Sequence, residues 1–233
     1  MSNLQADRRR DTDRFYALLD ELAERVGGPR RLKDCTEASG WPQYGVEFFL
    51  EDGQVRAGGG GLRVVRVGSH ALRTTSKATF WTRLAQHRGP VSGANAGVGN
   101  HRGSVFRQHV GSALLETGDW PAEVAQTWGQ KDVSPVQRAA ERPLERAVSD
   151  HIGAMPLLWL DVPDLEQRKS IRANAIALLS QRTGGIHPTT PGWLGLHAKN
   201  DNVRTSGLWN SDFVDDPYDP SFLDAMEACV KAM

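Results

Sequence analysis

The sequence predicts an α/β protein of the α+β kind, one unit with an extension at each end, on three observations. Two apolar runs, Gly45–Leu50 and Met155–Val162, are too short for helices and are bounded by turn-forming residues, so they read as strands. Elsewhere apolar residues recur at helical spacing, as in Phe15, Leu18, Leu19, Leu22 and Val26. Finally, no Asp or Glu occurs between Gly53 and Leu115, while nine Lys or Arg and four of the seven His fall there.

At 233 residues, 39% apolar and 24% charged, the chain has room for one sizeable core or two small ones. Its 28 basic and 28 acidic residues cancel, which would argue against a polyanionic partner if the charges were mixed. They are segregated, and a ligand feels the local charge. Cys35 and Cys229 sit near opposite ends without CxxC spacing, so neither a zinc site nor a disulfide framework is expected, and a reducing, cytoplasmic setting is. The segment Met1–Arg14 has no apolar signal-peptide core and no stretch reaches the length of a membrane span, so no membrane partner is expected; the oligomeric state is not written in the sequence.

In chain order, the first helical pattern stops at Gly27-Gly28-Pro29, and 30–42 reads as a connector anchored by Trp41. The strand Gly45–Leu50 carries one polar oddity, Glu47. The loop over 51–61 holds four consecutive glycines, which suit a hairpin but lack the spacing of a phosphate-binding glycine motif. Arg63–Gly68, rich in valine, returns as a second strand. A helix over 79–88 follows, with Phe80, Trp81 and Leu84 on its apolar face and Arg83 and His87 one turn apart along the border of that face. After a Gly/Ala/Ser-rich stretch, Ser104 is a candidate N-cap of the next helix. Arg102 and Arg107 beside it make that helix start a natural phosphate site. A mixed-charge helix over 136–151 has Pro143 awkwardly in its interior; a strand over 155–162 and an amphipathic helix over 164–181 come next. The proline-rich tail ends in a helix from about Pro220 and is expected to wrap the core. The divisions are thus 1–42, 43–182 and 183–233.

If the acid-free elements adjoin, Arg63, Arg73, Lys77, Arg88, His101, Arg102 and Arg107 build one basic surface that attracts the phosphates of DNA or RNA. The plainer alternative pairs each arginine with a carboxylate from the rest of the chain. Arg83 with His87 has the chemistry to brace the oxygens of a phosphate and to orient a nucleophile or relay a proton, although spacing alone favours a surface arginine and a half-buried histidine. His70 and His101 carry the same ambiguity; His109, His151, His187 and His197 read as structural.

The blocks Gly45–Glu51 (GVEFFLE), Arg63–Leu72 (RVVRVGSHAL), Arg83–Gly89 (RLAQHRG), Asn100–Arg107 (NHRGSVFR), Ile152–Leu160 (IGAMPLLWL) and Ile171–Ser180 (IRANAIALLS) stand in an order that resembles the GIY-YIG nuclease superfamily. The resemblance implies a small, mainly antiparallel three-stranded sheet flanked by helices over 43–182. It also implies cleavage of nucleic-acid phosphodiesters with Mg2+ or Mn2+ as cofactor. By position it carries over Arg83 and His87 as catalytic residues, with Arg66 in place of the second-strand tyrosine and Gly68 kept. It also exposes two departures: the first-strand tyrosine is Glu47, and the metal-holding glutamate of the later helix is Arg172. Two hypotheses follow. In one, Glu47 and Arg172 form an ion pair in place of the metal and the protein binds nucleic acid without cutting it. In the other, Glu47 is itself the metal ligand and His70 or His87 the base of an active endonuclease. A third reading makes the basic surface a contact for a protein partner.

Overall fold

The computed structural model describes residues 3–72 and 78–233. Strand β1 is Arg30–Arg31, β2 Gly45–Val55, β3 Leu62–Ser69 and β4 Pro156–Asp161, in the order β1-β4-β2-β3, with every neighbouring pair antiparallel. The expected three strands are therefore four, because two residues of the connector add to the free edge of β4. The β2–β3 hairpin is longer than its apolar run: pairing continues to Val55↔Leu62, beyond the residues that hydrophobicity marks.

Helix α1, Asn3–Val26, begins well before its apolar stripe and ends where Gly27 and Gly28 take the left-handed φ of 76° and 93°. Helix α2 is Phe80–Arg88, α3 Val105–Thr117, α4 Ala122–Thr127, α5 Pro135–Ala140, α6 Arg142–Ala154, α7 Leu165–Leu179, α8 Asp201–Ser206 and α9 Phe222–Lys231. The helix expected over 136–151 is two helices. Pro143 lacks the N–H and the φ freedom a helix interior needs, and it sits instead in the first turn of α6, behind a break at Glu141.

Alternation along β2 divides the interior in two. Val46, Phe48 and Leu50 face a core built with α1, α7 and α9, while Phe49, with Val65 of β3 and Trp159 of β4, faces a core built with α2, α3 and α6. The tail contributes to both, Phe222 and Met226 to the first and Trp193 and Trp209 to the second. It also covers the outer edge of β3, where Trp209 donates to Val65 O at 2.7 Å and the Asn210 amide exchanges hydrogen bonds with both backbone groups of Val67. Among the described residues no helix is long and apolar enough to cross a membrane.

Candidate functional site

Pairing puts Glu47 opposite Gly68 on β3 and Trp159 on β4, on the face of the second core. The side chain is 1% exposed, and it lies directly over Gly68, where a Cβ would stand 2.0 Å from Glu47 Oε1 and 3.0 Å from Arg66 Nη2. Glycine is required here for room, since its φ is ordinary. Glu47 Oε1 accepts no hydrogen bond. Burial raises the Glu47 pKa, and the attraction of Arg66, Arg83 and Arg172 only partly offsets it.

Arg66 reaches this place through a bulge. Phe49 pairs with Arg66 and Leu50 with Val64, so Val65 is the extra residue, and Val65 and Arg66 both turn to the second core. The Arg66 guanidinium lies 4.7 Å over the Phe106 ring, its Nε unpartnered; burial pushes its pKa down to about 10 against the pull of Glu47.

On α2, Thr79 caps the first turn by accepting from Thr82 N at 3.0 Å, which fixes the direction in which Arg83 and His87 project. Arg83 is half-buried and donates to Gln86 Oε1 at 2.7 Å. His87 is fully buried between Phe49 and Phe106, with Nδ1 2.8 Å from Ser104 Oγ and Nε2 without a partner. Burial, then the charges of Arg66, Arg83 and Arg107, hold its pKa well below the ordinary value, so the ring is neutral.

The expected Glu47–Arg172 ion pair does not form. Arg172, on α7, gives its Nη2 to Asp212 Oδ2 at 2.6 Å and lies 5.2 Å over the ring of Phe213. Its charge still acts on both Glu47 and Arg66. Asp212 and His109 are the residues that sequence reasoning misses. Asp212 acts on Arg66 and His109, and His109, read as structural, has an unpartnered Nε2 and a pKa lowered to about 4, first by burial and then by Arg66. No spacing signals Asp212, because it arrives from the tail after the pairing along β3.

Most of the expected basic surface is spent internally. Arg63 is 2% exposed and holds Gln54 Oε1 and Gly207 O. Arg88 donates to Cys35 O and covers the Trp81 ring. Arg102 forks onto Glu141 at 2.7 and 2.9 Å. Arg107 and His101, both buried, share Glu145. The helix start at Ser104 is therefore a neutralised polar core, which corrects the phosphate site expected there. Glu141 and Glu145 answer the charges of Arg102, Arg107 and His101, and Asp20 of α1 answers Arg56. His70 is held by Nε2, 3.0 Å from Gln43 O, with its ring stacked on Tyr44 and edge-on to Phe80, while its buried Nδ1 has no partner. Arg73 and Lys77 lie outside the described residues.

What remains is one constellation: Glu47, Arg66, Arg83, His87, Arg172, His109 and Asp212. Among the described residues no group of three or more His, Cys, Asp or Glu side chains is arranged to hold a metal ion. Around Glu47 the neighbouring charges are guanidinium groups, which repel a cation and attract a phosphate oxygen. A family model described as a GIY-YIG domain matches residues 6–233. No curated protein and no solved structure matches the chain.

Proposed function

The chain belongs to the GIY-YIG nuclease superfamily, and from that premise we propose that it engages a nucleic-acid phosphodiester at Arg66, Arg83 and Arg172 and does so without the metal-dependent hydrolysis implied by the family resemblance. The observation that carries this reading is the set of three guanidinium charges acting on one buried carboxyl group whose Oε1 accepts no hydrogen bond. Arg83 is half-buried and the Arg172 side chain is 14% exposed, so these two stand where a phosphate arrives, with Arg66 behind them.

The side chains do not fit a hard divalent cation. Such an ion takes several oxygen ligands, carboxylates foremost. Here the position of the metal-holding glutamate is itself a cation, Arg172, and Arg66 and Arg83 add two more positive charges acting on Glu47. Hydrolysis also needs an activated water. A guanidinium holds phosphate oxygens through paired hydrogen bonds, but it has no coordination position at which to ionise water.

The test is a gel-shift and cleavage series on labelled single-stranded and duplex DNA and RNA, in EDTA and in Mg2+, with the native chain, Arg83→Ala and Arg172→Ala. The expected result is retarded, intact nucleic acid, with retardation reduced in both variants. Cleavage by the native chain that requires Mg2+ would restore the endonuclease reading. Absence of any retardation would remove the proposal.

A further inference from the structure

Phe213 is a strained residue that the packing does not call for. Its φ of 60° lies in the left-handed region, which a bulky side chain takes only where its surroundings impose it. The neighbours impose it here: Ser211 O accepts from Asn202 Nδ2 at 2.8 Å, Asp212 Oδ2 from Arg172 at 2.6 Å, and the carbonyl of the buried Val214 from Ser180 Oγ at 2.6 Å. Glycine or asparagine would hold the same turn with less strain. Neither core uses the ring, which at 37% is the most exposed aromatic side chain among the described residues. What it does touch is Arg172, whose guanidinium stands 5.2 Å from the ring centroid. A partly open aromatic face is thus clamped in place beside the guanidinium on which a phosphate is proposed to land.

Resting on that phosphate-binding reading of Arg172, we propose that Phe213 is a stacking platform for an unpaired nucleobase. Arg172 and Phe213 then take one nucleotide between them, the phosphate on the guanidinium and the base on the open part of the ring. The pair suits the two halves of a nucleotide, which are joined through one sugar: a cation for the anionic ester and a flat apolar face for the base. Every base has a π-face, so the contact tolerates any sequence and asks only that the base be free of its neighbours in a duplex. The ligand class is therefore single-stranded nucleic acid. The clamped backbone serves this role, because a ring held in place before binding loses little freedom when a base arrives. Asp212 already seats Arg172 through its ion pair, so orienting the guanidinium does not by itself call for a strained aromatic residue next in the chain.

The experiment measures affinity by fluorescence anisotropy, in EDTA, for a labelled single strand and for a strand of equal length whose sugars all lack bases. The proteins are the native chain, Phe213→Ala, Phe213→Asn, Phe213→Trp and Arg172→Ala, each checked for folding by circular dichroism. The native chain should bind the base-bearing strand about tenfold more tightly than the abasic one. Phe213→Ala and Phe213→Asn should lose that preference while holding the abasic strand as the native chain does, and Phe213→Trp should keep it. Asparagine accepts a left-handed φ, so one ringless variant is spared the backbone strain. Arg172→Ala should instead weaken both strands alike. Equal native affinity for the two strands, a comparison that needs no variant, would overturn the inference, as would a preference that survives in the ringless variants. Equal loss on both strands in those variants would also overturn it, since the ring would then serve only to seat Arg172. Native protein that binds neither strand overturns the phosphate reading and the platform with it; the other contrary results remove the platform and leave the phosphate reading standing.

Discussion

Gly68→Ala probes how Glu47 is seated. The added Cβ would lie 2.0 Å from Glu47 Oε1, 2.7 Å from its Cδ and 3.0 Å from Arg66 Nη2, so the carboxyl group must retreat by more than an atomic radius inside a closed interior. Overpacking of this kind costs about 1–3 kcal/mol. Removing the obstacle in advance, with Glu47→Ala, leaves only the 3.0 Å approach to the tip of Arg66. In that background the alanine should be nearly neutral, because the strand gains about 0.5–1 kcal/mol from the lost glycine freedom. The four chains of the cycle, unfolded in urea, should therefore show a coupling of about 2 kcal/mol between positions 47 and 68. Additivity within about 0.5 kcal/mol would refute the placement of Glu47 over Gly68.

Glu145→Ala should cost about 3–5 kcal/mol in urea unfolding, because it leaves the fully buried Arg107 without its carboxylate. Burial works to raise the Glu145 pKa, but hydrogen bonds and charge from His101 and Arg107 outweigh it and lower it, so this contribution is present above the ordinary glutamate value and is lost as pH falls through the folded one. His109 titrates the other kind of group: held at about 4 by burial and Arg66, it refuses a proton that the unfolded chain takes up below 6.5. Stability should fall by up to about 3 kcal/mol from that source as pH drops across this window, and His109→Gln should flatten the slope of midpoint against pH. Asp212→Asn, which removes an exposed negative charge from beside Arg172, should tighten oligonucleotide binding a few-fold at low salt, as read by fluorescence anisotropy.

The elements were legible where one residue decides them. Gly27-Gly28 ends α1, Ser104 caps α3 through Arg107 N, and the alternation from Val46 to Leu50 sets the two faces of the sheet. The two-residue strand β1 was not, since Arg30 and Arg31 carry no strand signal and pair only because β4 has a free edge. At the site, Arg83, His87 and Glu47 were found from motif order, and their environments were not. The acid-free run reads as an open basic surface, yet Glu141, at the break before α6, and Glu145 of α6 neutralise Arg102 and Arg107. Pairing between remote segments also explains Arg172. Its charge is felt at Glu47 without an ion pair between them, and its partner Asp212 comes from a tail with no motif that announces it.

The most direct measurement of the central claim is the salt dependence of oligonucleotide affinity, by anisotropy, for the native chain and for Arg83→Ala and Arg172→Ala, all in EDTA. A phosphate held by these guanidinium groups predicts that log affinity falls linearly with log salt. Each variant should lose about tenfold in affinity, with a slope shallower by about one. Equal affinities and slopes in all three chains, or no salt-dependent binding by the native chain, would contradict it.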